Sequence, residues 1–144
     1  MKKSQNITPH LRLDEVACHD GTPYPRDWIE TRLVPLAQEF EAIRTACGDR
    51  PIPILSGYRT PEHNARVGGA RHSQHIEGRA LDLGMPEGID LEEFWRIVNR
   101  VACERGVIRG LGLYPSFIHI DIRPEIRIAK WNGTRALAEL LEAA

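Results

Sequence analysis

A chain of 144 residues with 42% hydrophobic and 27% charged side chains has the size and balance of one ordered globular domain, not of a disordered or fibrous segment. Its formal charge of −1 gives no electrostatic case for nucleic acid or an anionic membrane as partner. Three cysteines, at 18, 47 and 103, are odd in number and widely spaced without a CxxC pair, which excludes a disulfide framework and fits folding in a reducing compartment.

The chain opens MKKSQNITPHLRLDE. Its basic start is not followed by an apolar stretch, so the expectation is cytoplasmic synthesis without a signal peptide. No apolar run in the sequence is long enough to cross a bilayer. Residues 1–24 are polar and turn-rich, closing in HDGTPYP, and read as a loop folded over another element. Ile29, Leu33, Leu36, Phe40, Ile43 and Cys47 then recur at helical steps. Pro35 inside that stripe predicts a kink or restart, and Gly48 a stop.

IPILS at 52–56 reads as a short buried strand, with Pro53 favouring an edge or a strand start. Thr60 before Pro61 forms an N-cap and N1 pair for a short helix that Gly68-Gly69 ends. RALDLG at 79–84 predicts a strand with Leu81 and Leu83 on one face and Ala80 and Asp82 on the other. Asp90 with Glu93 resembles a capping box, and Leu91, Phe94, Trp95, Val98, Val101 and Ala102 supply a second helical stripe. Cys47 and Cys103 fall within the two helical patterns and read as small core hydrophobes. Residues 107–114 and 116–122 predict two strands around a tight turn near Pro115-Ser116, and Thr134 predicts the cap of a last short helix. Without repeat or linker, the pattern fits one α+β domain over 1–144.

The segment FIHIDI carries a face argument. Alternation places Ile118, Ile120 and Ile122 toward a core and Phe117, His119 and Asp121 on the opposite side. That is a rigid platform for a site, although a solvent-facing His/Asp pair has the same pattern. Upstream, SQHIEGRALD sets His75 in a loop and Asp82 seven residues on, in a strand. Two neutral imidazoles and a carboxylate form a known catalytic zinc set with water in the fourth position. His75 with Asp82 alone also fits a plain hydrogen-bonded pair.

The runs SGYRTPEHN, VGGARHSQHIEGRALDLG and GLGLYPSFIHIDIRP together resemble the M15 family of zinc D-alanyl-D-alanine peptidases, in the branch of small cell-wall peptidases and phage-type lysins. The pattern S-x-H-x-x-G-x-A-x-D is met by Ser73, His75, Gly78, Ala80 and Asp82, and the later H-x-D by His119 and Asp121. The resemblance covers roughly residues 10–132. It implies a Hedgehog/DD-peptidase-like α+β fold, a small antiparallel sheet flanked by helices, with zinc held by His75, Asp82 and His119.

Some relatives carry H-x-H at the last position, with the second residue on the metal. In that register Asp121 would be the ligand and His119 the catalytic helper. His119 is preferred as ligand because imidazole is the commonest metal ligand, and Asp121 is then free as the base that takes the proton of the attacking water. Arg59 is the candidate for binding a substrate carboxylate or the developing oxyanion, with a structural ion pair as the alternative. Ser73 and Gln74 either contact substrate or brace their loop, His72 is not needed as a ligand, and Trp131 is expected to pack against the site. His10, His19 and His63 read as surface residues.

The implied activity is hydrolysis of peptidoglycan stem peptides by a monomeric zinc peptidase, as carboxypeptidase or cross-link endopeptidase. The place of action is the cell wall, for a phage-encoded or virion-associated enzyme. A catalytically inert metal-binding module of the same fold is the runner-up. A cysteine hydrolase built on Cys18 and His19 is a remote third, because nucleophile and base normally meet through the fold and not along the chain.

Overall fold

Two helical stripes and three strands with apolar residues at alternate positions share one core, and the sheet they form exposes its other face to a cleft. The computed structural model describes residues 5–132, so the cap expected at Thr134 and its helix lie outside the described residues.

The N-terminal segment is more structured than a polar loop. β1 (Asn6–Thr8) and β2 (Leu11–Arg12) form a two-stranded antiparallel ribbon, followed by a 3-10 turn over Leu13–Val16. Leu11, Val16 and Tyr24 are buried, and Tyr24 donates its hydroxyl to the Gly78 carbonyl at 2.6 Å. Three isolated apolar residues among polar ones give no periodic signal, which is why the sequence reads as loop.

The restart expected near Pro35 is present. A π-helical turn over Ile29–Leu33 changes to α1 (Val34–Ala46) with the proline in its first turn, the part of an α-helix that tolerates a missing N–H best. Gly48 follows at φ 74°, the left-handed stop. The second stripe is α3 (Leu91–Arg105), capped by the Asp90 side chain on the Glu93 N–H at 2.9 Å and ended by Gly106 at φ 70°. Phe94, Trp95, Val98 and Ala102 are buried, each large apolar side chain worth ~1.5–3 kcal/mol of transfer free energy. Arg105 ties the two helices by gripping the buried carboxylate of Glu39 with three hydrogen bonds of 2.9–3.1 Å.

The main sheet runs in the order β3 (Ile54–Ser56), β4 (Ala80–Gly84), β6 (Phe117–Asp121), β5 (Gly110–Tyr114), β7 (Ala129–Asn132). β3 is an edge strand starting one residue after Pro53, as its proline suggests. Pairing is antiparallel except β7, which lies parallel to β5. The short segment AKWN alternates too briefly to announce this strand. Leu81, Leu83, Leu111, Leu113, Ile118 and Ile120 join the core with the apolar faces of α1 and α3. α2 (Pro61–Arg66) stands outside the sheet, its Thr60 cap accepting from the His63 N–H at 3.1 Å.

One core expectation needs correcting: Cys47 is buried, but Cys103 is exposed. Position 103 lies about 100° round the helix from Ala102 and so leaves the apolar stripe. Burial pushes the Cys47 thiol up to about 11, removing its reactive thiolate at neutral pH. Iodoacetamide labelling of the native protein, mapped by peptide mass, is expected to modify Cys103 rapidly and spare Cys47 until denaturant is added. Equal rates at the two positions would contradict this packing.

Candidate metal centre

Strand register builds the site as a row across the sheet. Ser56 pairs with Asp82, Asp82 with His119, His119 with Gly112, and Gly112 with Trp131. Directly paired residues share a face, so β3, β4, β6, β5 and β7 each place one of these residues on the cleft side. The neighbouring row is Ala80, Asp121 and Gly110. The two glycines leave the floor bare. A Cβ at Gly110 would run into the Asp121 carboxylate, and one at Gly112 would come within 2.6 Å of the Trp131 indole nitrogen.

His75 reaches this face from the loop before β4. Its Nδ1 lies 2.6 Å from the Gly57 carbonyl, and its Nε2 lies 3.0 Å from Asp82 Oδ1. His119 Nδ1 lies 3.1 Å from the same oxygen, and its Nε2 lies 2.7 Å from Asp121 Oδ2. All four side chains are buried. One ligand atom from each of His75, Asp82 and His119 converges within 4.8 Å of the others.

Proton counting tests whether this set suits a cation. The Gly57 carbonyl can only accept, so His75 Nδ1 carries the hydrogen and Nε2 of the neutral ring presents a lone pair. The Asp121 carboxylate fixes a hydrogen on His119 Nε2 in the same way, leaving Nδ1 as a lone pair. Both rings thus aim lone pairs at one carboxylate oxygen, an arrangement that needs a proton on each ring or a shared cation. Two adjacent imidazolium rings, with centroids 5.0 Å apart, would repel in a buried site. Burial also pushes His75 down toward its neutral form, against the pull of Asp82. For His119, burial opposes the charged ring, but contacts with Asp121 and Asp82 outweigh it and raise the pKa. A divalent ion satisfies both rings and the carboxylate at once; the donors fit a metal of the zinc class.

The second layer is mostly arginine. Arg59 places Nη2 on Asp82 Oδ2 at 3.2 Å, Nε on Ser56 Oγ at 3.1 Å and Nη1 on Asn64 Oδ1 at 3.3 Å. Burial works against ionisation of Asp82, yet the contacts with His119 and His75 hold it well below the usual carboxylate range. Arg123, which sequence reasoning missed, grips Asp121 with Nε on Oδ1 at 2.8 Å and Nη2 on Oδ2 at 2.7 Å. Its position two residues beyond Asp121, in a segment that alternates faces, was the available signal. Burial also opposes ionisation of Asp121, but Arg123 first and then His119 keep it well below the ordinary range.

A cleft of about 500 Å³ opens over the row, lined by Arg59, His72, Ser73, Gln74, Tyr114 and Arg123 as well as the converging ligands. Trp131 forms part of its wall, 5.1 Å from the His119 ring and hydrogen-bonded from its indole to the Tyr114 hydroxyl at 2.9 Å. Ser73 Oγ accepts from the His75 N–H at 3.2 Å and so braces the loop. The Gln74 side-chain oxygen is buried without a partner among the described residues.

The profile of the family described as Peptidase M15 matches residues 9–121, which takes in every residue of the metal set. The chain belongs to the peptidase M15 family. It is also 46% identical over 46 residues to the zinc D-Ala-D-Ala carboxypeptidase of Streptomyces albus G, a match covering 32% of this chain and 18% of that protein. The α+β architecture with its mostly antiparallel sheet agrees with membership of this peptidase M15 group.

The Asp121 contacts make a prediction that separates two roles. If Asp121 orients His119, replacing Asp121 with Ala lowers zinc affinity about 10- to 100-fold, as measured by competition with a chromogenic chelator. If it serves only as a base, affinity stays unchanged while turnover falls. Gly110→Ala, which drives a methyl group into the same carboxylate, is expected to weaken zinc binding in the same direction while the far-ultraviolet circular dichroism is preserved.

Proposed function

We propose that this M15 peptidase hydrolyses peptide bonds in the stem peptides of bacterial peptidoglycan, with zinc held by His75, Asp82 and His119. The observation that carries the reading is the convergence of those three buried donors at the floor of an open cleft. Zinc bound there would supply a Lewis acid for the scissile carbonyl and a water acidic enough to attack near neutral pH.

The chain's own residues would prepare that chemistry. Gly57 and Asp121 each fix one imidazole tautomer, so the lone pairs of His75 and His119 face inward. Asp121 is fully buried and its two oxygens already accept from Arg123, beside the His119 contact. Such a carboxylate is poorly placed to take a proton from water in the cleft. We therefore assign it to holding His119, in place of the base role expected for it once His119 is taken as the ligand. His72 and Tyr114 also line the cleft and are the candidates for proton transfer in its place.

Arg59 would hold Asp82 on one side and offer its remaining donor capacity to a substrate carboxylate or a developing oxyanion. Gln74 lines the same cleft, and its side-chain amide is the candidate partner for a substrate amide N–H. A stem peptide bearing D-alanine supplies both groups. Its action would lie at the cell wall, as carboxypeptidase or as endopeptidase, and a phage-type lysin is the setting we favour.

Mass spectrometry of purified peptidoglycan incubated with the protein tests this directly, with parallel samples stripped of metal and restored with zinc. New stem-peptide fragments that require zinc are expected, and their masses tell loss of a terminal alanine from cross-link cleavage. His75→Ala and His119→Ala should each lower the rate by at least ~10³-fold, in line with loss of the Lewis acid. An absence of fragments from folded, zinc-loaded protein would overturn the peptidase reading in favour of a metal-bearing binding module.

A further inference from the structure

A second group of metal-binding side chains lies at the N-terminal loop, outside the row just described. Cys18, Asp20 and His63 bring one ligand atom each within 4.8 Å of one another. Their proximity is built by two capping arrangements that meet. The Cys18 N–H donates to the Thr22 carbonyl at 2.9 Å, the Gly21 N–H to the Cys18 carbonyl at 3.0 Å, and the Thr22 N–H to Asp20 Oδ1 at 2.9 Å. Gly21 sits at φ 97°, which the turn requires. This turn faces the start of α2, where Thr60 donates to Asp20 Oδ2 at 2.8 Å while capping the His63 N–H.

We propose that Cys18, Asp20 and His63 form a second transition-metal site, which fastens the N-terminal loop to α2. The donor set is one thiol sulfur, one carboxylate oxygen and one imidazole nitrogen. Sulfur and nitrogen select zinc-class ions over calcium or magnesium, which take oxygen shells. The Thr22 N–H and the Thr60 hydroxyl, each donating to one oxygen of Asp20, hold its carboxylate in place beside the other two donors. Among the described residues Asp20 forms no salt bridge that would neutralise it. A fourth position is left for water or for His19, whose ring meets that of His63 edge to face at 6.0 Å.

The placement ties the site to the cleft. His19 and His63 line a depression of about 250 Å³ that Arg59 and Asp82 also line. From His63 the next residue of α2 is Asn64, which holds Arg59, which in turn holds Asp82. Metal at the second site would therefore steady the helix that supports the arginine beside the first. This inference needs no catalytic activity and stands independently of the peptidase reading.

Cobalt(II) titration of the reduced full-length chain tests it, because thiolate-bound cobalt gives an intense near-ultraviolet charge-transfer band. The His75/Asp82/His119 set contains no sulfur and contributes none. A Cys103→Ser background removes the exposed thiol as a source. In that background the band is expected to appear with two cobalt ions bound per chain. His119→Ala should leave the band and lose one ion. Cys18→Ser should abolish the band and keep one ion. His63→Ala and Asp20→Asn should each weaken the band-forming affinity by about tenfold or more. A folded Cys103→Ser protein that shows no band at saturating cobalt would overturn the proposal. So would a band that survives Cys18→Ser, or one unaffected by both His63→Ala and Asp20→Asn, which also cover the case of a Cys18 variant that does not fold.

Discussion

The Asp82 carboxylate sits on an interior strand of the sheet with almost no contact with solvent, and most of the candidate site can be traced to how its charge is accommodated. Oδ2 takes the Arg59 guanidinium, while Oδ1 faces a nitrogen of His75 and a nitrogen of His119. Leaving a buried charge without compensation costs several kcal/mol, and removing one partner of a buried pair typically costs ~3–5 kcal/mol. One arginine covers one oxygen. The other oxygen meets two rings whose remaining nitrogens are committed to the Gly57 carbonyl and to Asp121. A cation between the three donors resolves a conflict that protein hydrogen bonds leave open.

The same logic extends outward through a second carboxylate. Asp121 neutralises part of Arg123 and fixes the His119 tautomer, so two arginine–carboxylate pairs flank the imidazoles: Arg59 with Asp82 on one side, Arg123 with Asp121 on the other. Each arginine does two things by virtue of its planar fork, which a lysine would not do. Arg59 spans β3, α2 and β4, and Arg123 packs its guanidinium 5.2 Å from the Trp131 ring while holding Asp121. The sheet supplies rigidity because its other face is locked into the leucine and isoleucine core.

Much of this was legible because strand periodicity converts sequence spacing into geometry. The alternation in FIHIDI correctly separated the core isoleucines at 118 and 120 from His119 and Asp121, and RALDLG did the same for Asp82. The convergence of His75 with them was not readable from spacing alone; it came from the resemblance to M15 peptidases, since a loop residue has no period. What stayed hidden depended on cross-strand register. Gly110 and Gly112 fall inside a predicted strand with nothing in the sequence to mark their role, yet they are the cleared floor beneath Asp121 and Trp131. The second layer of Asn64, Arg123 and the Gly57 carbonyl is likewise assembled from segments distant in sequence. Helix positions were legible to within a turn where the apolar stripe was long, and Cys103 shows the limit: one residue off the stripe is on the surface.

Anomalous diffraction at the zinc absorption edge, from crystals of the zinc-loaded protein, bears most directly on the central claim. The account predicts a strong peak bounded by His75 Nε2, an Asp82 carboxylate oxygen and His119 Nδ1, with Asp121 outside the coordination sphere and contacting His119 Nε2. A peak ligated by Asp121, or by His119 through Nε2, would contradict the proposed division between ligand and orienting carboxylate. A zinc-loaded crystal without a peak between His75, Asp82 and His119 would contradict the metal centre itself.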